Sequence, residues 1–247
     1  MRFLLALAAL LAFADTARAA DPDALWKIIS QKCLPNEREY GQPAPCAVVD
    51  LDKAYVVLKD INGDTQYLVM PTAKITGIED PAVLAPGAAN YFADAWDERH
   101  FTIEAAKAAL PREAISLAIN SVSGRTQNQL HIHIDCVKPE VRDAVRRQLA
   151  AIGDTWAPLA APLAGHPYRA VRVLGDGLDG ANPFTLVADG MPGARAAMAN
   201  QTLVVIGATF AGNTPGFVIL DDQADPATGG RGSGEELQDH SCALAHP

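Results

Sequence analysis

In NQLHIHIDC, residues 128–136, apolar and polar side chains alternate without a break: Leu130, Ile132 and Ile134 against Gln129, His131, His133 and Asp135. A period of two suits a β-strand, where successive side chains point to opposite faces, and does not suit a helix. The fold must therefore supply a sheet with an aliphatic core on one side and room for two imidazoles and a carboxylate on the other. The plain explanation is a strand with one solvated face, although the chain of 247 residues has only 6 histidines, so such a pairing is uncommon by chance. Two chemical readings compete with it. In the first, His131, His133 and Asp135 ligate a metal, because imidazole with carboxylate suits Zn²⁺. The H-x-H-x-D-H pattern of zinc hydrolases would need a histidine where this chain has Cys136. In the second, an unprotonated imidazole attacks phosphorus and its neighbour hydrogen-bonds the phosphoryl or leaving oxygen, with no metal involved. Donors for such a site lie just upstream, in Asn120, Gln127, Asn128 and the backbone around Gly124.

The flanking patterns extend the sheet. AYVVLKD (54–60) and TQYLVMP (65–71) are β-rich runs separated by Asn62-Gly63, a strong hairpin signal. AISLAINS (114–121) leads through the turn SGRTQN into the histidine strand. Helical spacing marks 23–32, 90–109, where Tyr91, Phe92 and Trp96 share a stripe, and 139–151. Farther on, YRAVRVL (168–174), QTLVVIGAT (201–209) and GFVILDD (216–222) read as strands, with a helix around 192–199. The order strand, helix, strand, strand in both halves suggests a degenerate duplication, a chemical half over about 23–151 and a second over about 152–247. GDGLDG (175–180) satisfies G-x-G-x-x-G, but Asp176 and Asp179 would repel a pyrophosphate and Pro183 follows before any clear helix begins, so it reads as a glycine turn. GGRGSG (229–234) reads as a flexible loop and EELQDHSC as a short tail helix.

A net charge of −9 argues against a nucleic-acid partner, which needs a Lys/Arg excess. The start, MRFLLALAALLAFADTARA, has a charged Arg2, an apolar run from Phe3 to Ala14, and an A-x-A site at Ala17-Arg18-Ala19. This predicts a signal segment over 1–19, cleaved after Ala19 or kept as an anchor, and an extracytoplasmic protein. The four cysteines allow three pairings. Cys33 and Cys46 flank the Pro/Asn/Gly-rich stretch LPNEREYGQPAP, read as a loop, which invites a local bridge and leaves Cys136 with Cys242.

HIHID resembles the signature of the histidine-triad superfamily, His-φ-His-φ-His with φ hydrophobic, with Asp135 in the third place. The resemblance implies that the middle member, His133, is the nucleophile and His131 its partner. It places Asn120, thirteen residues before His133, at the end of the preceding strand. TQYLVMPTAKITG resembles a superfamily strand in which Gln66 stands where a histidine is usual, and VVLKDIN one whose acidic residue, here Asp60, holds a ribose. Over nearly the whole chain, CLPN…PC, YVVLKDINGDTQYLVMPT, SLAINSVSGRTQNQLHIHIDC, GHPY and EELQDHSC resemble the bacterial CDP-diacylglycerol pyrophosphatase family. That implies an α+β, HIT-like antiparallel sheet and hydrolysis of CDP-diacylglycerol to CMP and phosphatidate through a nucleotidyl-histidine, with neither cofactor nor metal. It also implies work at the periplasmic membrane face. Asn120, Gln127, Asn128 and Asp135 are then candidates for substrate contact, and Lys59 and Arg125 for neutralising phosphate charge. Tyr91, Phe92 and Trp96 are candidates for lipid contact. Many histidine-triad proteins are homodimers with one continuous sheet, so a duplicated chain is expected to build that pseudo-dimer as a monomer. A nucleotide- or lipid-binding protein without activity is the non-enzyme alternative; the His131/His133 pair with Asn120 favours the enzyme.

Overall fold

One antiparallel sheet organises the computed structural model, which describes residues 21–225, 227 and 229–246. The signal segment expected over 1–19 lies outside the described residues. The strands are β1 (Val48–Asp50), β2 (Tyr55–Lys59), β3 (Tyr67–Pro71), β4 (Ile115–Ile119), β5 (Ile132–Val137), β6 (Ala157–Pro158), β7 (Arg169–Leu174), β8 (Gln201–Phe210), β9 (Thr214–Gln223) and β10 (Gln238–Asp239). Their order is β1-β2-β3-β5-β4-β8-β9-β7-β6, with β10 paired to the end of β5, and every ladder is antiparallel. Read outward from the β4–β8 seam, the strands run β4-β5-β3-β2 on one side and β8-β9-β7-β6 on the other. The expected α+β class is what the chain adopts.

Register divides the sheet into two faces. Across the strands, Leu68, His133, Ala118, Val204, Leu220 and Ala170 stand side by side on a front face. Tyr67, Ile134, Leu117, Val205 and Ile219 share the back. The back is covered by α3 (Tyr91–Asp97), α4 (His100–Ala106) and α6 (Pro183–Gly190), whose Phe92, Ala95, Trp96, Phe184 and Val187 fill one core with Val57, Val69 and Phe217. Burying one such aromatic contributes roughly 1.5–3 kcal/mol. The apolar stripe of Tyr91, Phe92 and Trp96 is therefore core rather than lipid surface: Trp96 packs edge-on to Phe217 and its Nε1 donates to the Asp176 carbonyl at 3.0 Å. That bond also explains the GDGLDG turn, which packs on α3 beside an antiparallel strand.

Two separate clusters cover the front. At the β2–β3 end, Ile29, Cys33 and Leu34 pack on Val56, Leu58, Leu68 and Met70. At the other end, Val141 and Val145 of α5 (Pro139–Gln148) and Leu237 pack on Ala118, Val204, Ile206 and Leu220. Between the two clusters the front face carries the histidines.

Four expectations change. LPNEREY is helix, α2 (Leu34–Tyr40), continuous with α1 (Ala24–Ile28) through a π turn at Ile29–Cys33. Its proline, Pro35, comes just after the π turn, and Gly41 at φ 62° ends it. The second-half helix likewise begins at Pro183, under an Asn182 cap that accepts from the Phe184 amide, while 194–200 is 3₁₀. GGRGSG is not a loose loop: Gly232 has φ 64°, and a Cβ on Gly234 would lie 2.8 Å from the Val204 side chain. EELQDHSC is a 3₁₀ turn, Gly234–Leu237, running into β10, not a helix.

Both disulfides form as expected, Cys33–Cys46 and Cys136–Cys242, and none of the described cysteines is free. The second spans 106 residues, so it restricts the unfolded chain by roughly 4–5 kcal/mol in the chain-entropy treatment. It also fixes the tail against β5.

Candidate active site

The β5 ladder begins at Ile132, so His131 stands one residue before it and His133 within it, both on the front face. Their rings meet edge to face with centroids 4.8 Å apart, and both residues are buried. His131 Nδ1 lies 2.6 Å from the Gln129 carbonyl. A carbonyl only accepts, so Nδ1 carries the proton and the lone pair of neutral His131 is on Nε2. Gln129 is fixed in turn, its Nε2 donating to the Pro71 and Ala73 carbonyls.

The space before His133 holds a carboxylate. Glu235 Oε2 accepts from Asn120 Nδ2 at 2.6 Å, and its Oε1 accepts from Gln66 Nε2 at 3.5 Å. Oε1 is also 3.2 Å from His133 Nδ1, without hydrogen-bond alignment, and Asp60 Oδ2 stands 4.0 Å from the same nitrogen. Two side-chain amides thus converge on an anion beside an imidazole, which is what a phosphoryl group also requires. Asn120 is placed by β4, and its Oδ1 accepts from the Gly234 amide at 2.9 Å. Tail and strand end therefore hold each other.

Burial sets the charge of the pair. It pushes the His133 imidazole well below its usual range, and the neighbouring His131 adds to this while Asp60 opposes it. His131 is lowered by burial too, against its bond to Gln129. At neutral pH, His133 therefore offers a lone pair. Because protonation removes that lone pair and the pKa is lowered, kcat/KM should stay level as pH falls through 6.5 and drop only below it. An acid limb centred at or above 6.5 in a pH–rate profile would contradict this assignment.

Asp135 serves a different purpose from the one expected. Its Oδ1 accepts from Thr65 Oγ1 at 2.6 Å and the Cys136 amide at 2.8 Å, and its Oδ2 is 2.6 Å from His240 Nδ1. Burial pushes this carboxyl up and His240 pulls it back, while His240 is itself raised by Asp135. Both oxygens of Asp135 are thus engaged, by Thr65 and the Cys136 amide on one side and by the tail residue His240 on the other. His240 also fixes a glycine: a Cβ on Gly63, at φ 63°, would collide with the His240 Cβ.

The remaining candidates separate. A cleft of about 240 Å³ is lined by His131, His133, Asn120, Asp60, Lys59, Gln127 and Glu235, with Leu25, Ile28 and Ile61 at its apolar side. Lys59 Nζ donates to the Asp60 and Gly63 carbonyls. Gln127 ties down the N-terminal helix through the Leu25 amide and the Asp21 carbonyl. Arg125, the other candidate for phosphate charge, forms a two-pronged pair with Glu79 at 2.5 and 2.6 Å and does not line the cleft. Asn128 is outside the cleft, its amide donating to the Pro22 carbonyl and its Oδ1 facing Arg125 at 3.4 Å. The Gly124 amide is taken by Ser121. A larger groove of about 420 Å³, between Arg142, Arg146 and Thr209, contains no histidine.

Glu235 and His240 are site residues to which the sequence reading gave no role, although both lie in the EELQDHSC motif. They lie more than a hundred residues from His133, and the physical link between the two segments is Cys242, bonded to the neighbour of Asp135.

Comparison with known proteins agrees with the geometry. Residues 20–246 match the family model described as CDP-diacylglycerol pyrophosphatase. A curated Yersinia pestis protein, a CDP-diacylglycerol pyrophosphatase, is 45% identical over 227 residues, covering 92% of this chain and 86% of that protein.

Proposed function

This chain belongs to the CDP-diacylglycerol pyrophosphatase family, and we propose that it hydrolyses CDP-diacylglycerol to CMP and phosphatidate through a nucleotidyl-histidine on His133. The observation that carries this reading is the carboxylate seated between the Asn120 and Gln66 amides, 3.2 Å from His133 Nδ1. The cytidylyl phosphoryl group takes that position when Glu235 swings aside. The His133 lone pair forms an N–P bond as the P–O bond to phosphatidate breaks, and phosphatidate leaves as a phosphate monoester anion. Water then attacks the same phosphorus, the N–P bond breaks, and CMP departs with neutral His133 restored. Asn120 and Gln66 hold the phosphoryl oxygens, Asp60 holds the ribose, and His131 packs edge to face against the His133 ring and orients it.

The setting follows from the same features. The apolar side of the cleft, with Leu25, Ile28 and the 97% exposed Ile61, supports a site that meets lipid at a membrane surface. Two disulfides and the sequence of residues 1–19 support an extracytoplasmic, periplasmic location. The matching strand order on either side of the β4–β8 seam supports a duplicated chain that acts as a monomer. Val218 and Leu220 of the second half then face the side that carries His133 and Asp135 in the first, so only one half is chemical.

Rapid acid-free quench with cytidine-labelled CDP-diacylglycerol tests the intermediate. Labelled CMP should remain on the protein through an acid-labile, base-stable bond that maps to His133. No adduct in a single turnover, or an adduct on His131, would overturn the mechanism.

A further inference from the structure

On the front face of the second half, three side chains that this reaction does not use converge. Asp222 of β9 is 5% exposed, and its Oδ2 has no hydrogen-bond partner. His166, in the short turn closed by the Leu163–His166 bridge, places Nδ1 3.9 Å from that oxygen. Its Nε2 is 3.5 Å from Glu236 Oε2, while Glu236 Oε1 accepts from Tyr168 Oη at 2.8 Å. One ligand atom from each of His166, Asp222 and Glu236 lies within 4.8 Å of the others.

We propose that His166, Asp222 and Glu236 bind a divalent cation of the zinc class, with water completing its coordination. A buried carboxylate oxygen without a donor is costly to leave alone, and a cation satisfies it. One imidazole and two carboxylates form the mixed nitrogen and oxygen set that Zn²⁺ accepts, at about 2.0–2.2 Å from the ion. Ligands so bound stand about 3.3–3.6 Å apart around a tetrahedral ion. Small torsions of His166 and Glu236, each partly exposed, close the remaining gap, while Asp222 stays fixed in its strand. The charge balance suits a cation as well: the carboxylates of Glu236 and Asp222 act on each other with Lys138 as the one cationic side chain, among the described residues, bearing on Glu236, which leaves negative charge for an ion to offset. Tyr168 is positioned to orient Glu236 from the far oxygen.

The place of this site in the fold gives it a purpose. Glu236 follows Glu235 directly, so an ion held there anchors the tail that carries Glu235 into the cleft. It is a structural staple beside the reaction and not part of it.

Calorimetric titration of the chelator-stripped full chain with Zn²⁺, and with Mg²⁺ as control, tests the proposal. One Zn²⁺ should bind per chain and raise the thermal unfolding midpoint, with no matching effect of Mg²⁺. His166→Gln and Asp222→Asn should each weaken binding by more than about 100-fold, beyond what loss of an outer partner costs, and abolish the thermal shift. His133→Ala should leave binding intact. Asp222 is buried, so if its variant does not fold, the partly exposed His166 decides. Absence of saturable Zn²⁺ binding, binding unchanged in His166→Gln, or binding lost in His133→Ala would each overturn the site.

Discussion

Alanine at position 133 should abolish release of CMP from CDP-diacylglycerol, lowering kcat on the order of 10⁴-fold or more, the scale on which covalent nucleophiles are lost. The substitution spares the fold. β5 is held by backbone ladders to Leu68 and Ala118, and the His133 carbonyl accepts from Gln238 Nε2 at 3.2 Å whatever side chain is present. The cavity left is small and lies at the cleft, so unfolding should shift little. His131→Ala is the informative comparison. It leaves the nucleophile in place and removes a ring that touches His133 and bonds to Gln129, so a measurable residual rate should survive. His133→Gly opens space for added imidazole, which should restore part of the turnover. Full activity in His133→Ala, or a deeper loss in His131→Ala, would reverse the two assignments.

The sheet was legible because its signals are local. Period-two alternation in HIHID, the Asn62-Gly63 hairpin and the β-rich runs each name a strand from their own residues, and α3 shows its stripe. Elements whose identity depends on long-range packing were not legible. GGRGSG is glycine-rich because Gly232, at φ 64°, passes close to Ser121 and Gly234 close to Val204 of β8, and composition alone cannot separate that from looseness. LPNEREY contains residues that favour turns, yet it continues the helix begun at Ala24, and packing of Leu34 decides.

The site divides in the same way. His131, His133, Asn120, Gln66 and Asp60 could be named because their strands carry them in fixed register, and the structure gathers them at one cleft. Arg125 could not be judged, since its charge is neutralised by Glu79, 46 residues away in sequence. Asp135 shared the face of the histidines but not their task. Only the tail, folded back by its disulfide, supplies the His240 that occupies it. Alternation fixes the face a side chain points to; which partner it meets there is a property of the whole chain.

Asn120→Ala should lower kcat by about two orders of magnitude, the usual loss for one preorganised donor to a developing anion. The residue acts in two directions, and the experiment must separate them. Its Nδ2 reaches the anion position, now taken by Glu235 at 2.6 Å, and its Oδ1 accepts from the Gly234 amide. Alanine removes both. The first loss falls on the transition state, so kcat and kcat/KM should decline together. The second leaves a buried N–H without a partner, a cost of about 1–3 kcal/mol to be met by loosening the tail. Hydrogen exchange at Gly234 reads that loosening independently of chemistry. The expected pair of results is therefore a fall of about 100-fold in kcat together with faster exchange at Gly234. Faster exchange with unchanged kcat would leave Asn120 an anchor for the tail and remove it from the phosphate contact, and the thirteen-residue spacing to His133 would then carry no chemical meaning.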